Sequence, residues 1–270
     1  MHLIKILMIA GAICLSTTQA VAQELTKEKQ VLFTYGDFYP KDVSGYEIVV
    51  LESAHFDSED IEILKQQNNT VIGYISLGEV NESAAHFPQV KDFTLGKNEL
   101  WNSHILDIEN EETRESLMNI FQFNMKKGLD GMFLDNIDNY TVFGPTPEKK
   151  DALLDFLQTI HIVFPEIYLM QNAGVSIIED THPYINSVAK ESIATDYNFE
   201  KNKYQLREEE VFFQLLQELE KANKEYEIPI ILIEYADTQK LKKAIKQRLK
   251  ENPWTYFIGK IDLQSIPDKN

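Results

Sequence analysis

Short apolar, β-branched runs alternate with longer segments of helical period along almost the whole chain. The strand-like runs are Val31–Tyr35, Glu47–Leu51, Val71–Ser76, His104–Ile108, Gly131–Asp135, Ile167–Gln171, Ser187–Lys190 and Pro229–Tyr235. In Val71-Ile72-Gly73-Tyr74-Ile75 the apolar character is continuous rather than alternating, which suits a strand covered on both faces. Eight β-then-α units in about 240 residues predict an α/β fold, a (β/α)8 TIM-type barrel rather than an open doubly wound sheet.

The helical segments carry their own punctuation. Asp57 can cap a helix bearing Ile61 and Leu64, and the stripe Leu117, Ile120, Phe121 stops at Gly128. Thr146-Pro147 reads as an N-cap with proline at the first helical position, ahead of Leu153, Phe156, Leu157 and Ile160. Phe212, Leu215, Leu216 and Leu219 share a face near 207–225, and Leu241, Ile245 and Leu249 do so near 238–250. Two stretches fit the repeat less well. Asp37 to Tyr46 is too short and too rich in Pro and Gly for a full crossover helix, giving an irregular first β–β connection. A strand-like tail, Trp254–Leu263, follows the eighth unit. With no repeat, linker or low-complexity stretch, residues 23–270 read as one domain.

Residues 1–22 read as a signal peptide. His2 and Lys5 precede an apolar run from Ile6 to Leu15, and Ala20-Val21-Ala22 supplies a small-x-small cleavage pattern. That run is shorter than the roughly 20 residues needed to span a bilayer. The expectation is an exported protein, periplasmic or secreted, with no membrane association after cleavage. Cleavage removes Cys14, the only cysteine, so thiolate zinc sites and cysteine nucleophiles are excluded from the mature chain. The formal charge of −17 becomes −18 when Lys5 is lost. So acidic a chain lacks the basic footprint that nucleic acid requires, and suits a cationic or neutral partner.

In a barrel of this kind chemistry sits at the C-terminal ends of the strands. Those ends carry Glu52, Glu79, Asp107, Asp135 with Asp138, Asn172, Glu191 and Glu234-Tyr235. A lone Asp after a strand is often a helix cap, but carboxylates gathered in one mouth repel one another unless they are used or neutralised. Two chemistries use such a cluster: a hard-metal site, here from Asp107, Asp135 and Asp138, and glycoside hydrolysis by an acid and a nucleophile or base. The histidines lack zinc-ligand spacing, and no phosphate-binding glycine loop or nucleophile elbow is present. Tyr35, Tyr74, Trp101, Tyr140, Tyr197 and Tyr235 lie where aromatic rings could stack on sugars.

Several segments resemble those of a known barrel family. They are Ile72-Gly73-Tyr74-Ile75-Ser76-Leu77-Gly78-Glu79-Val80-Asn81, Trp101 with Ile105-Leu106-Asp107, and the run from Gly128 to Tyr140 that contains Leu134-Asp135-Asn136-Ile137-Asp138. Gln171-Asn172 and Lys190-Glu191-Ser192 complete the series. Together they are similar to the endo-α-1,4-polygalactosaminidases, including the hydrolases of the Pel biofilm polysaccharide. The resemblance implies cofactor-free cleavage within α-1,4-linked galactosamine and N-acetylgalactosamine chains. It implies Asp135 and Glu191 as the catalytic carboxylates, with Tyr74, Ser76, Glu79, Asp107, Asn136, Asp138, Asn172 and Tyr235 lining the sugar subsites. A catalytically silent barrel that holds the same polymer is the alternative from the binding class. The sequence does not address oligomeric state.

Overall fold

A computed structural model describes residues 31–267, so the expected signal peptide lies outside the described residues. Thirteen strands are described. In chain order they are β1 (Val31–Thr34), β2 (Ile48–Leu51), β3 (Thr70–Ser76), β4 (Glu79–Asn81), β5 (Thr94–Asn98), β6 (Ser103–Leu106), β7 (Gly131–Asp135), β8 (Tyr168–Asn172), β9 (Ser187–Glu191), β10 (Thr195–Asn198), β11 (Lys203–Leu206), β12 (Ile230–Tyr235) and β13 (Thr255–Gly259). Eight of them form one sheet in the order β1-β2-β3-β7-β8-β9-β12-β13, with every neighbouring pair parallel. Among the described residues no ladder forms between β13 and β1. The seam is closed by the Tyr35 N–H donating to the Leu263 carbonyl at 2.7 Å and by the Phe33 and Phe257 rings, 5.5 Å apart. The expected (β/α)8 barrel is present.

One of its eight strands is not the one expected. The run His104–Ile108 does not enter the barrel: β6 lies in a separate antiparallel sheet, order β4-β6-β5, inserted between β3 and β7. The eighth barrel strand is instead β13, from the apparent tail Trp254–Leu263, and Pro229–Tyr235 supplies the seventh. The physical reason is length. From Ser76 to Gly131 the chain runs through a three-stranded sheet, a short helix (Phe87–Val90) and a long helix (Glu111–Lys127) before it can rejoin its neighbour.

 The extra sheet and helices lie between the end of β3 at Ser76 and the start of β7 at Gly131, strands that pair directly from Ile72–Gly131 to Ser76–Asp135.

The remaining helices form the outer layer, and several have a readable beginning or end. The helix Ser58–Gln67 starts at a capping box: Asp57 accepts from the Glu59 and Asp60 N–H groups, and the Asp60 side chain accepts from the Asp57 N–H. Asn110 caps the helix Glu111–Lys127, which ends at Gly128 in the left-handed region, φ 102°, where glycine carries no Cβ penalty. Thr238 caps Gln239–Leu249. Thr146 departs from expectation. Its hydroxyl donates to the Asn139 carbonyl at 3.2 Å, and Pro147–Lys149 forms a single 3-10 turn before the helix Lys150–Val163. The first β–β connection is irregular as expected, holding only the 3-10 turn Pro40–Asp42.

Side-chain parity divides the core in two. Phe33, Phe133, Met170, Ala189, Ile233 and Phe257 fill the barrel interior. Leu134, Leu169, Val188 and Leu232 face outward against the helix residues Phe121, Phe156, Leu157 and Leu219. Each inward aromatic of this kind contributes about 1.5–3 kcal/mol by its burial. The same period of two sets what reaches the mouth. The residues two positions beyond Phe133, Met170, Ala189 and Ile233 are Asp135, Asn172, Glu191 and Tyr235, on the same face at the C-terminal ends.

Candidate active site

Asp135, Asn172 and Glu191 end three consecutive strands, β7, β8 and β9. Asn172 stands between the two carboxylates, and its amide Nδ2 donates to Asp135 Oδ1 at 2.8 Å and to Glu191 Oε1 at 2.7 Å. One nitrogen therefore bounds the separation of those two oxygens: 2.8 and 2.7 Å laid end to end allow no more than 5.5 Å. Two tyrosines complete the arrangement from either side. Tyr74 on β3 donates its hydroxyl to Asp135 Oδ2 at 2.8 Å, and Tyr235 on β12 donates to Glu191 Oε2 at 2.5 Å. Asp135 also accepts from the Asn136 backbone N–H at 2.8 Å.

The chain turns sharply after each of the three strand ends. Asn136, Ala173 and Ser192 all lie in the left-handed region, with φ of 59°, 58° and 56°. A side chain there costs of order 1–3 kcal/mol, least for Asn, and such strain persists where the surroundings over-determine the backbone. Three such residues at successive strand ends, each next to a polar group of the mouth, make this edge of the barrel the candidate site.

The environments of the two carboxylates differ. Burial pushes Glu191 above the usual carboxylate range, and the negative charge of Asp135 adds to this; the Tyr235 and Asn172 hydrogen bonds and the Lys190 charge oppose it. Asp135 accepts three hydrogen bonds, from Tyr74, the Asn136 N–H and Asn172. Burial also raises the phenols of Tyr74 and Tyr235, with Asp135 and Glu191 respectively as the next causes, so both remain protonated donors. Tyr35, read from sequence only as an aromatic near the mouth, packs its ring 4.8 Å from that of Tyr74 and feels both Asp135 and Glu191.

The other expected subsite residues separate into two groups. Ser76 and Asn136 stay at the mouth, where the Ser76 hydroxyl donates to Asn136 Oδ1 at 2.6 Å and accepts from the Glu79 N–H at 3.0 Å. Asp138, in the 3-10 turn Ile137–Tyr140, is exposed, and its carboxyl is raised by desolvation and then by Asp135, against Lys190. Glu79 is buried in the side sheet, where Ser103 donates to it, as does Asn98 Nδ2 at 3.1 Å. Asp107 follows β6, outside the barrel, so it does not stand at a barrel strand end. It accepts from the Glu109 N–H in a local turn and pairs with Lys149 at 2.9 Å. Glu52 accepts from the Ala54 N–H within its own 3-10 turn. Glu234 points away from the mouth and is fully buried behind it. Among the described residues no group of three His, Cys, Asp or Glu side chains converges to hold a metal ion, so Asp107, Asp135 and Asp138 do not make the metal site that their spacing left open. Lys190, whose charge reaches both Glu191 and Asp138, is the neighbour that sequence reasoning missed. Its only signal was its place beside Glu191.

The model of glycoside-hydrolase family GH114 matches residues 15–266. The chain belongs to this family. GH114 membership makes it a glycoside hydrolase, and the parallel barrel with paired carboxylates is the scaffold for that chemistry. It is similar to the glycoside hydrolase domain of PelA from Pseudomonas aeruginosa, with 26% identity over 88% of this chain and 96% of that one, and a TM-score of 0.78. Ega3 from Aspergillus fumigatus, solved in complex with galactosamine, shares the fold at 19% identity, over 87% of this chain and 91% of that one, with a TM-score of 0.64. No curated protein sequence gives a significant match.

Proposed function

We propose that this GH114 member is an exported, endo-acting hydrolase of α-1,4-linked galactosamine and N-acetylgalactosamine polymers, working by a retaining mechanism. The observation that carries the mechanism is the Asn172 amide shared by both carboxylates. An upper bound of 5.5 Å between the bridged oxygens agrees with the roughly 5–5.5 Å of retaining enzymes, and leaves no room for the water that inverting enzymes hold across about 6.5–9.5 Å.

The Asp135 carboxylate, oriented by its three donors, attacks the anomeric carbon. The glycosidic C–O bond breaks with its electrons on the leaving oxygen, which takes the proton from Glu191. In the second step Glu191, now a carboxylate, accepts a proton from water as the water oxygen attacks the same carbon and the ester to Asp135 breaks. The raised Glu191 keeps its proton towards neutral pH, which suits the acid role. Asn172 and the two tyrosines fix both carboxyl groups during the exchange.

The substrate class rests on the motif resemblance, on the similarity to the PelA domain and on galactosamine as the Ega3 ligand. A partly deacetylated polymer carries ammonium groups, which an acidic chain with exposed Asp138 at its mouth would attract. Export rests on the leader-like first 22 residues alone.

The test is reducing-end release from partly deacetylated α-1,4-galactosaminoglycan, with chelator present, by wild type, Asp135→Asn and Glu191→Gln. Short oligomers from wild type, and a loss of about a hundredfold or more in each variant, are expected. A folded wild type that binds the polymer without cleaving it would refute this substrate assignment and leave a binding role.

A further inference from the structure

Behind the mouth lies a buried carboxylate that the reaction does not use. Glu234 on β12 directly precedes Tyr235, and by strand parity its side chain faces outward, away from the sugar site. It has no exposed surface, and among the described residues it forms no ion pair. Its partners all come from the segment that follows Glu191. Oε1 accepts from the Ala194 N–H at 2.9 Å, and Oε2 accepts from the Thr195 N–H at 2.9 Å and the Thr195 hydroxyl at 2.6 Å. The Thr195 hydroxyl in turn accepts from the Tyr235 N–H at 3.2 Å.

The carbonyls of the same segment are held as well. Arg207 Nε donates to the Ser192 and Thr195 carbonyls at 2.8 and 3.1 Å, and Arg248 donates to the Ala194 carbonyl at 3.1 Å. A four-residue stretch that begins with left-handed Ser192 is thus fixed on its donor side by one carboxylate and on its acceptor side by two arginines. The stretch is attached to Glu191 at one end. At the other, through Thr195, it is tied to the backbone of the tyrosine that hydrogen-bonds Glu191.

We infer that Glu234 is a positioning residue: through Thr195 it sets the alignment of Tyr235 with the Glu191 carboxyl. This rests on the reading of Glu191 as the acid/base. The carboxylate is needed because two backbone N–H groups and a hydroxyl converge on it in a site with no exposed surface, where an amide would place its own N–H against one of those donors. A buried charge held only by hydrogen bonds is costly to keep, so its retention so close behind the acid/base calls for a return in alignment.

The groups that face the Glu191 carboxyl are Asp135, Asn172, Tyr235, Lys190 and the Tyr35 phenol. Only the Tyr235 bond depends on the clamp described here, and that bond favours the charged form of Glu191. Loosening it must therefore raise the protonation midpoint of Glu191. The experiment is a carbon-13 NMR titration of the glutamate carboxyls in wild type, Glu234→Gln and Thr195→Val, with Glu191→Gln to assign the resonance, alongside kcat and KM on galactosaminoglycan oligomers. Thr195→Val keeps volume and the buried carboxylate, so it serves where Glu234→Gln does not fold.

The expected result is a Glu191 midpoint higher by about half a pH unit or more, with kcat down about tenfold to a hundredfold, as for a misplaced catalytic group, and KM within about twofold. An unchanged midpoint in the folded variants, with any loss confined to thermal stability, would overturn the inference and leave Glu234 a purely structural anchor. If Glu191→Gln retains full turnover, the acid/base reading itself fails, whatever the clamp does; the titration still reports on the clamp without any substrate.

Discussion

Replacing Tyr235 with Phe removes one hydroxyl and nothing else from the mouth. That hydroxyl donates to Glu191 Oε2, so the change takes away a bond made best with the ionised carboxyl. A hydrogen bond to a charged group is worth about 1.5–3 kcal/mol, and one pH unit of displacement corresponds to 1.36 kcal/mol. Burial and Asp135 already oppose ionisation, and Asn172 remains as the other neutral donor. The protonated form therefore gains relative to the anion, and the sign is fixed: the alkaline limb of the kcat/KM profile, where the acid loses its proton, moves up by roughly one to two pH units. Tyr74→Phe is the control, because Tyr74 touches Asp135 and not Glu191. It should lower kcat and leave the alkaline limb in place. The assay is reducing-end release across pH at fixed ionic strength. A limb that stays put or moves to lower pH in Tyr235→Phe would refute the reasoning, and a limb that moves in Tyr74→Phe instead would exchange the roles of the two carboxylates.

Further outcomes follow from contacts away from the reacting atoms. Lys149 is nearly buried and pairs with Asp107 at 2.9 Å and Glu109 at 2.6 Å, so Asp107→Asn should lower the melting temperature by several degrees with kcat within about twofold, since it weakens a partly buried pair; a collapse of kcat in a stable variant would return Asp107 to the sugar site. Glu191 and Glu234 are both raised above the unfolded carboxylate value, chiefly by burial. Their contribution to stability is therefore present below about pH 4 and is lost as pH rises through the folded values. Glu191→Gln should accordingly melt higher than wild type near pH 7 by about 1 kcal/mol, or roughly 2–4 °C, and calorimetry across pH checks both sign and window. Trp101 and Phe199 are exposed and meet edge to face, 5.2 Å apart, where the β5–β6 turn approaches the β10–β11 hairpin. Trp101→Ala should therefore raise KM for long oligomers more than for short ones, and equal effects on both would remove the aromatic pair from the binding path.

The barrel was legible because buried parallel strands are written as unbroken apolar runs, and Val71–Ser76 or Gly131–Asp135 cannot be mistaken for a helix stripe of that length. The same signal misplaced one strand. Ser103–Leu106 is apolar enough to pass for a barrel strand, yet two of its four residues are only half-buried, whereas all of β1 and β2 is buried. Local composition does not distinguish a strand covered by helices from one at the centre of a small side sheet. Trp254–Leu263 reads as strand-like but stands as a tail, because counting His104–Ile108 as a barrel strand already completes eight units before it. At the mouth, strand-end reading brought together Asp135, Asn172, Glu191 and Tyr235, which share inward parity. It failed for Asp107, whose place depended on the strand error, and for Glu79 and Glu234, whose partners lie in segments that no spacing rule connects to them.

The unlaced seam has a consequence for how the chain reaches this state. β1 closes against β13, about 220 residues further along, and among the described residues the two are joined by a backbone bond at Tyr35 and a pair of rings rather than by a ladder. Until the last strand is seated, β1 and β12 both remain raw edges, ready to template on another chain. Closure at such sequence distance is also slow, because the long loop must be ordered before its contacts reward it. The most exposed moment in the life of this molecule is therefore the interval before β13 docks, and a lesion at Phe257 would act there, through aggregation of open barrels, even with every group at the mouth intact.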